Sequence, residues 1–179
     1  ALGTGAEAVG GGAGTAVSAG SKAMEGLGSL SAKFEGKIDS ANPDNKGGAY
    51  GKYQFNSSGA GGGGLGTFMK ANPDIAKQFE GLQPGSPEFA SKWKDIAKQD
   101  PKGFEAAQDK AATEKWYNPA ANKASALGFK TDNKGVQESI FSGSIQHGGV
   151  NKILETASQT PGFKDMSPED QTKAFYSAR

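Results

Sequence analysis

Four helix starts are written around proline, each with a side chain that can cap a helix directly before the ring: Asn72-Pro73-Asp74, Ser86-Pro87-Glu88, Asp100-Pro101 and Ser167-Pro168-Glu169. Proline has a fixed φ and no N–H, so it suits the first turn of a helix and disrupts later turns, while Ser, Asp or Asn before it satisfies the free amides of that turn. Each site therefore reads as a helix start, and a chain carrying four of them between residues 72 and 168 is committed to a mainly helical fold.

The apolar residues after these starts keep helical spacing. Ile75, Phe79 and Leu82 follow the first and stop before Gln83-Pro84-Gly85; Phe89, Trp93, Ile96 and Ala97 follow the second. The third opens a long helix through Phe104, Ala107, Gln108 and Ala111 to Trp116-Tyr117, where Asn118-Pro119 is expected to break or kink it before residues 120–127, and Gly128 to end that piece. Residues 132–147 carry Val136, Ile140, Phe141, Ser144 and Ile145 and read as a central helix, separated from residues 150–157 by Gly148-Gly149. Upstream, Met24, Leu27, Leu30 and Phe34 give residues 21–34 the same period, with Glu35 on the last turn and Gly36 as a C-cap. Between Gly36 and Gly66 glycines cluster around Tyr50-Gly51-Lys52-Tyr53-Gln54-Phe55, which reads as a short hairpin, and Gly61 to Gly64 as a mobile lip. The expected architecture is a mainly α domain with about seven helices and one small β element.

Residues 1–20 are rich in Gly and Ala, with no aromatic residue and one charge, Glu7. Such a segment has little to bury against the entropy of ordering it, so a flexible linker is expected there, and one domain over residues 21–179. The absence of cysteine excludes a disulfide framework and a thiol nucleophile, and a single histidine leaves almost nothing for a zinc site. A formal net charge of +1 gives no reason to expect nucleic acid or an anionic membrane as the main partner. No basic leader followed by an apolar run is visible, and both ends read as those of a domain taken from a longer protein.

The chemistry-bearing feature is Glu35, in Lys33-Phe34-Glu35-Gly36. A general acid for glycoside cleavage must hold its proton near neutral pH and still face an open cleft. Phe34 and Ile38 supply apolar surroundings, and the glycines after the acid leave room for a sugar. A second carboxylate stabilises the oxocarbenium-like transition state or activates water. Asp44, nine residues on across a loop, is preferred over Asp39, which a continuing helix would place beside the acid. Asn42-Pro43-Asp44-Asn45 is also ordinary turn chemistry.

Glu35 with Gly51 and Gln54 resembles the catalytic Glu and Gly-x-x-Gln element of the lysozyme-like superfamily, which includes goose-type lysozymes and lytic transglycosylases. The Glu35-Gly36 pair with Asp44 is similar to the acid and second-carboxylate spacing of phage-type lysozymes. Gly143-Ser144-Ile145-Gln146-His147-Gly148-Gly149 resembles the motif lining the opposite wall of the transglycosylase cleft. Residues 136–142, Trp93-Lys94 and Phe104-Glu105-Ala106-Ala107-Gln108 resemble a phage and secretion-system branch of peptidoglycan hydrolases. The resemblance implies a lysozyme-like α+β domain with its hairpin beside the cleft, and cleavage of the β-1,4 bond between N-acetylmuramic acid and N-acetylglucosamine. In it Glu35 and Asp44 are the catalytic residues, Tyr50, Gln54, Gln146 and His147 bind the glycan, and no cofactor or metal is needed. It further implies an antibacterial domain, delivered to the periplasm of a target bacterium as part of a type VI secretion or phage-tail protein and countered by an immunity protein. Gly36 stands where transglycosylases usually carry Ser, and His147 where they usually carry Asn, which leaves hydrolysis and transglycosylation both open. A non-catalytic wall-binding module and a chitosanase-like glycosidase are the rival readings.

Overall fold

A computed structural model describes residues 36–44, 47–58, 63–147 and 150–179. The expected helix over residues 21–34, the linker over residues 1–20 and Glu35 lie outside the described residues. The fold is mainly α with a small antiparallel sheet, as the helix starts imply. The sheet has three two-residue strands in the order β1 (Ala41–Asn42), β2 (Ala49–Tyr50) and β3 (Phe55–Asn56), with Tyr50 opposite both Ala41 and Phe55. β2 and β3 form the expected hairpin, and β1 is a strand that the sequence reading did not contain.

The helices are α1 (Gly63–Ala71), α2 (Pro73–Lys77), α3 (Pro87–Gln99), α4 (Pro101–Ala112), α5 (Asn118–Leu127), α6 (Lys134–His147), α7 (Asn151–Ser158) and α8 (Pro168–Ser177). Three of the four proline starts are capped as expected. Ser86 Oγ accepts from the Phe89 amide at 3.1 Å, Asp100 Oδ1 from Gly103 at 2.9 Å and Ser167 Oγ from Asp170 at 3.1 Å, each worth about 1 kcal/mol. Asn72 differs: its Nδ2 donates backward to the carbonyls of Phe68 at 2.9 Å and Ala107 at 3.4 Å, so it closes α1 and ties it to α4.

Two expectations are corrected. Gly63 and Gly64 open α1 and are not part of a lip, because Leu65 and Phe68 on that helix are buried in the core and outweigh the poor helix propensity of glycine. Nor does Pro119 break the long helix. The five-residue turn Thr113–Tyr117 is widened to π geometry, with the Asn118 amide donating to the Thr113 carbonyl, and the helical backbone runs on into α5 with Pro119 in its first turn. Gly128 ends α5 in the left-handed region at φ 93°, as expected.

One core runs through the domain. In its N-terminal half Trp93 and Phe68 are fully buried, with ring centroids 5.1 Å apart, and Trp93 meets Phe104 edge-on at 4.9 Å. Phe55 stacks on Trp116 at 5.6 Å, which joins the sheet to the widened turn. In the C-terminal half α5, α6, α7 and α8 pack on one another around Ile140, Leu154 and Phe175, all fully buried. No helix of the described residues is long and apolar enough to cross a membrane.

Candidate functional site

Gly36, which follows Glu35 in the sequence, is bonded to the turn between β2 and β3. The Gly36 amide donates to the Lys52 carbonyl at 3.0 Å, and the Gly51 amide to the Ser40 carbonyl at 2.7 Å. Gly36 therefore lies against the turn Gly51–Gln54, whose ends are joined by the Gln54 amide on the Gly51 carbonyl at 3.2 Å. A Cβ added to Gly36 would meet Gln54 Nε2 at 3.0 Å and the Gly51 carbonyl at 3.1 Å. That crowding is a physical reason for glycine where the resembled enzymes usually carry serine.

Gln54 adopts φ 51°, and it is the one non-glycine residue with positive φ among the described residues. A side chain in that region costs about 1–2 kcal/mol relative to right-handed backbone, so the turn holds Gln54 there for a return. Its Nε2 donates to the Gly51 carbonyl at 2.9 Å and to Ser40 Oγ at 3.1 Å, and the residue is exposed. The structure thus brings Gly36, Ser40, Gly51 and Gln54 together.

Behind the turn lies a polar network that the sequence reading did not assemble. The fully buried Gln108 of α4 accepts the Lys52 amide on Oε1 at 2.8 Å and donates from Nε2 to the Ile38 carbonyl at 3.0 Å. Trp93 Nε1 donates to the same carbonyl at 2.9 Å. The buried Lys52 ammonium reaches Asp109 at 3.0 Å and Glu105 at 3.2 Å, and Asp109 also accepts the Tyr53 hydroxyl at 2.7 Å. Burial alone would lower the Lys52 pKa, but the hydrogen bonds and charges of Asp109 and Glu105 together outweigh it and hold the pKa above its ordinary value. Trp93 and Gln108 stand in the sequence as members of helical stripes, and the 70-residue separation of Gln108 from Ile38 gives no local signal for their contact.

The remaining candidates are more dispersed. Asp44 is exposed in the loop after β1, and its amide donates to Asn42 Oδ1 at 3.2 Å, so the turn chemistry of that segment is real. It stands at the other end of β1 from Ser40, at most about 14 Å away along an extended chain. Asp39 is exposed in the turn Lys37–Ser40, close to Gly36 in the chain. Tyr50 is corrected as a glycan platform: it is fully buried, its ring lies 4.8 Å from Phe89 and 5.3 Å from Trp93, and its hydroxyl accepts the Gly85 amide at 2.7 Å. Burial pushes its phenol pKa up, against the opposing effect of the Gly85 bond. Tyr117 is also buried, and Trp116 lies against Phe55. Gln146, exposed near the end of α6, accepts from Arg179, and His147 is the last residue of that helix. Among the described residues no group of His, Cys, Asp and Glu is placed to hold a metal ion.

The chain belongs to the family described as type VI secretion system spike protein VgrG3-like, C-terminal, whose model matches residues 27–179. It is similar to the type VI secretion system spike protein VgrG3 of Vibrio cholerae serotype O1, at 29% identity over 154 residues. That similarity covers 80% of this chain and 15% of the Vibrio protein, so the chain corresponds to a small part of its relative.

Proposed function

We propose that this domain is a peptidoglycan glycan-strand hydrolase, cleaving the β-1,4 bond between N-acetylmuramic acid and N-acetylglucosamine with Glu35 as general acid. The observation that supports the reading is the bonding of Gly36, the residue that follows the candidate acid in the sequence, to the Gly51–Gln54 turn. The acid protonates the leaving oxygen, and Gln54 orders that end of the site. Asp44 serves as the second carboxylate. In an inverting mechanism the two carboxyls stand about 6.5–9.5 Å apart to admit a water molecule, and Asp44, exposed in the loop after β1, is the carboxylate this reading assigns to that water. Gln146 and His147 contact the glycan from α6. Tyr50 has no direct contact with sugar in this reading and supports the sheet from within.

Membership of a spike-protein family supports delivery of the domain on a secretion spike to the wall of a target bacterium, where an immunity protein in kin cells would be its natural counterpart. Release of dye from labelled cell walls, measured beside pull-down on the same walls, tests the activity. Dye release by the purified domain is expected. Wall binding without release would replace the enzyme with a binding module, and neither would remove the wall as its target.

A further inference from the structure

We infer that Gln108 is a positioning residue for the acid: it touches no sugar, and fixes the segment that follows Glu35. The inference rests on the hydrolase reading and deepens it. One carboxamide holds the segment at two places. Its Nε2 donates to the Ile38 carbonyl at 3.0 Å, and its Oε1 accepts the Lys52 amide at 2.8 Å, while the carbonyl of that same Lys52 receives the Gly36 amide at 3.0 Å. Gly36 and Ile38, one and three residues after the acid, are thereby referred to a single side chain on α4.

The fit is tight on every side. A Cβ on Gly51, which has φ 71°, would lie 2.3 Å from Gln108 Oε1, so the glycine of the Gly-x-x-Gln turn is required by the carboxamide behind it. Trp93 Nε1 shares the Ile38 carbonyl at 2.9 Å and limits its movement. Gln108 is fully buried, so water cannot replace these bonds without opening the core. Catalysis by a placed acid is sensitive to displacement, and an error of about 1 Å costs on the order of 100-fold in rate.

A second buried glutamine provides the control. Gln171 accepts the Lys130 amide at 2.8 Å and donates to the carbonyls of Gly128 and Phe163 at 3.0 Å each, in the C-terminal half. Gln108→Met and Gln171→Met each remove a buried carboxamide and keep most of the side-chain volume. Both would be assayed on soluble wall fragments well below their melting temperatures. The expected result is a fall in kcat of about tenfold or more for Gln108→Met with KM within twofold, and kcat within twofold for Gln171→Met. Hydrogen exchange at the Lys52 amide should quicken only in the Gln108 variant. Should Gln108→Met fail to fold, Gln108→Asn keeps a carboxamide but withdraws it by one methylene, so that it cannot span Lys52 and Ile38 together; its kcat should fall and exchange at the Lys52 amide should quicken. An unchanged kcat in the folded Gln108 variant, or an equal fall in the Gln171 control, overturns the inference and leaves the hydrolase reading standing. Absence of turnover by the wild-type domain overturns both.

Discussion

The amide of Gly36 donates to the carbonyl of Lys52 at 3.0 Å, and the Lys52 amide is in turn held by Gln108 at 2.8 Å. The candidate acid therefore precedes a segment whose position depends on the core and not on a free loop. That relationship makes the roles of the surrounding residues separable by mutation.

The backbone and side-chain roles of Gln54 can be distinguished first. At φ 51° glycine escapes the strain that alanine retains. Gln54→Gly should therefore be more stable than Gln54→Ala by about 1 kcal/mol, as measured by denaturant unfolding. Both variants lose the bonds to Ser40 and Gly51 and should lose wall lysis to a similar extent. Equal stability of the two would show that the turn relaxes and that the strain is not held.

The two nearby carboxylates make opposite predictions. Asp44→Asn should reduce turnover more than Asp39→Asn if the partner of the acid stands at the far end of β1. A greater loss from Asp39→Asn would move the second carboxylate into the turn beside Gly36. Insensitivity of both would favour a single-acid mechanism, with a substrate N-acetyl group assisting.

Lys52 yields a pH prediction. Its folded pKa is raised, so its ion pairs stabilise fully below the ordinary value of 10.5, and that contribution is lost as pH rises through the folded pKa. The stability difference between wild type and Lys52→Met should therefore remain constant from pH 6 to 9, in the form of about 1–2 kcal/mol, since Glu105 and Asp109 are half-exposed and stay solvated when Lys52 is removed. It should shrink only in strongly alkaline solution. Asp109→Asn should cost more than Glu105→Gln, because Asp109 also accepts the Tyr53 hydroxyl. A difference that vanishes by pH 8 would contradict the pairing.

What was legible in the sequence was local. Ser86, Asp100 and Ser167 mark helix starts because the cap and the amide it serves lie three residues apart, and Gly128 marks a stop because only backbone freedom is needed there. The Gly51–Gln54 turn was legible for the same reason. What was hidden depends on contacts between distant residues. The hydroxyl partner of Tyr50 is Gly85, 35 residues on, so an aromatic in a glycine-rich stretch looked available for a sugar when it was core. Gly63 and Gly64 enter a helix because Leu65 and Phe68 find the core, which outweighs propensity. Gln108 stood in a helical stripe as one polar residue among apolar ones, and its partners lie 56 and 70 residues away.

The most direct test of the central claim is mass spectrometry of peptidoglycan digested by the wild-type domain and by Glu35→Gln, with folding of the variant checked by its melting temperature. An amide of the same shape cannot deliver a proton, and general acid catalysis contributes about 10²–10⁴-fold. The account predicts disaccharide products with reducing ends from the wild type, and their loss by at least about 100-fold in the folded variant. Products ending in 1,6-anhydro sugars would replace hydrolysis with transglycosylation. Undiminished products from Glu35→Gln would contradict the account, because the acid would have to lie elsewhere.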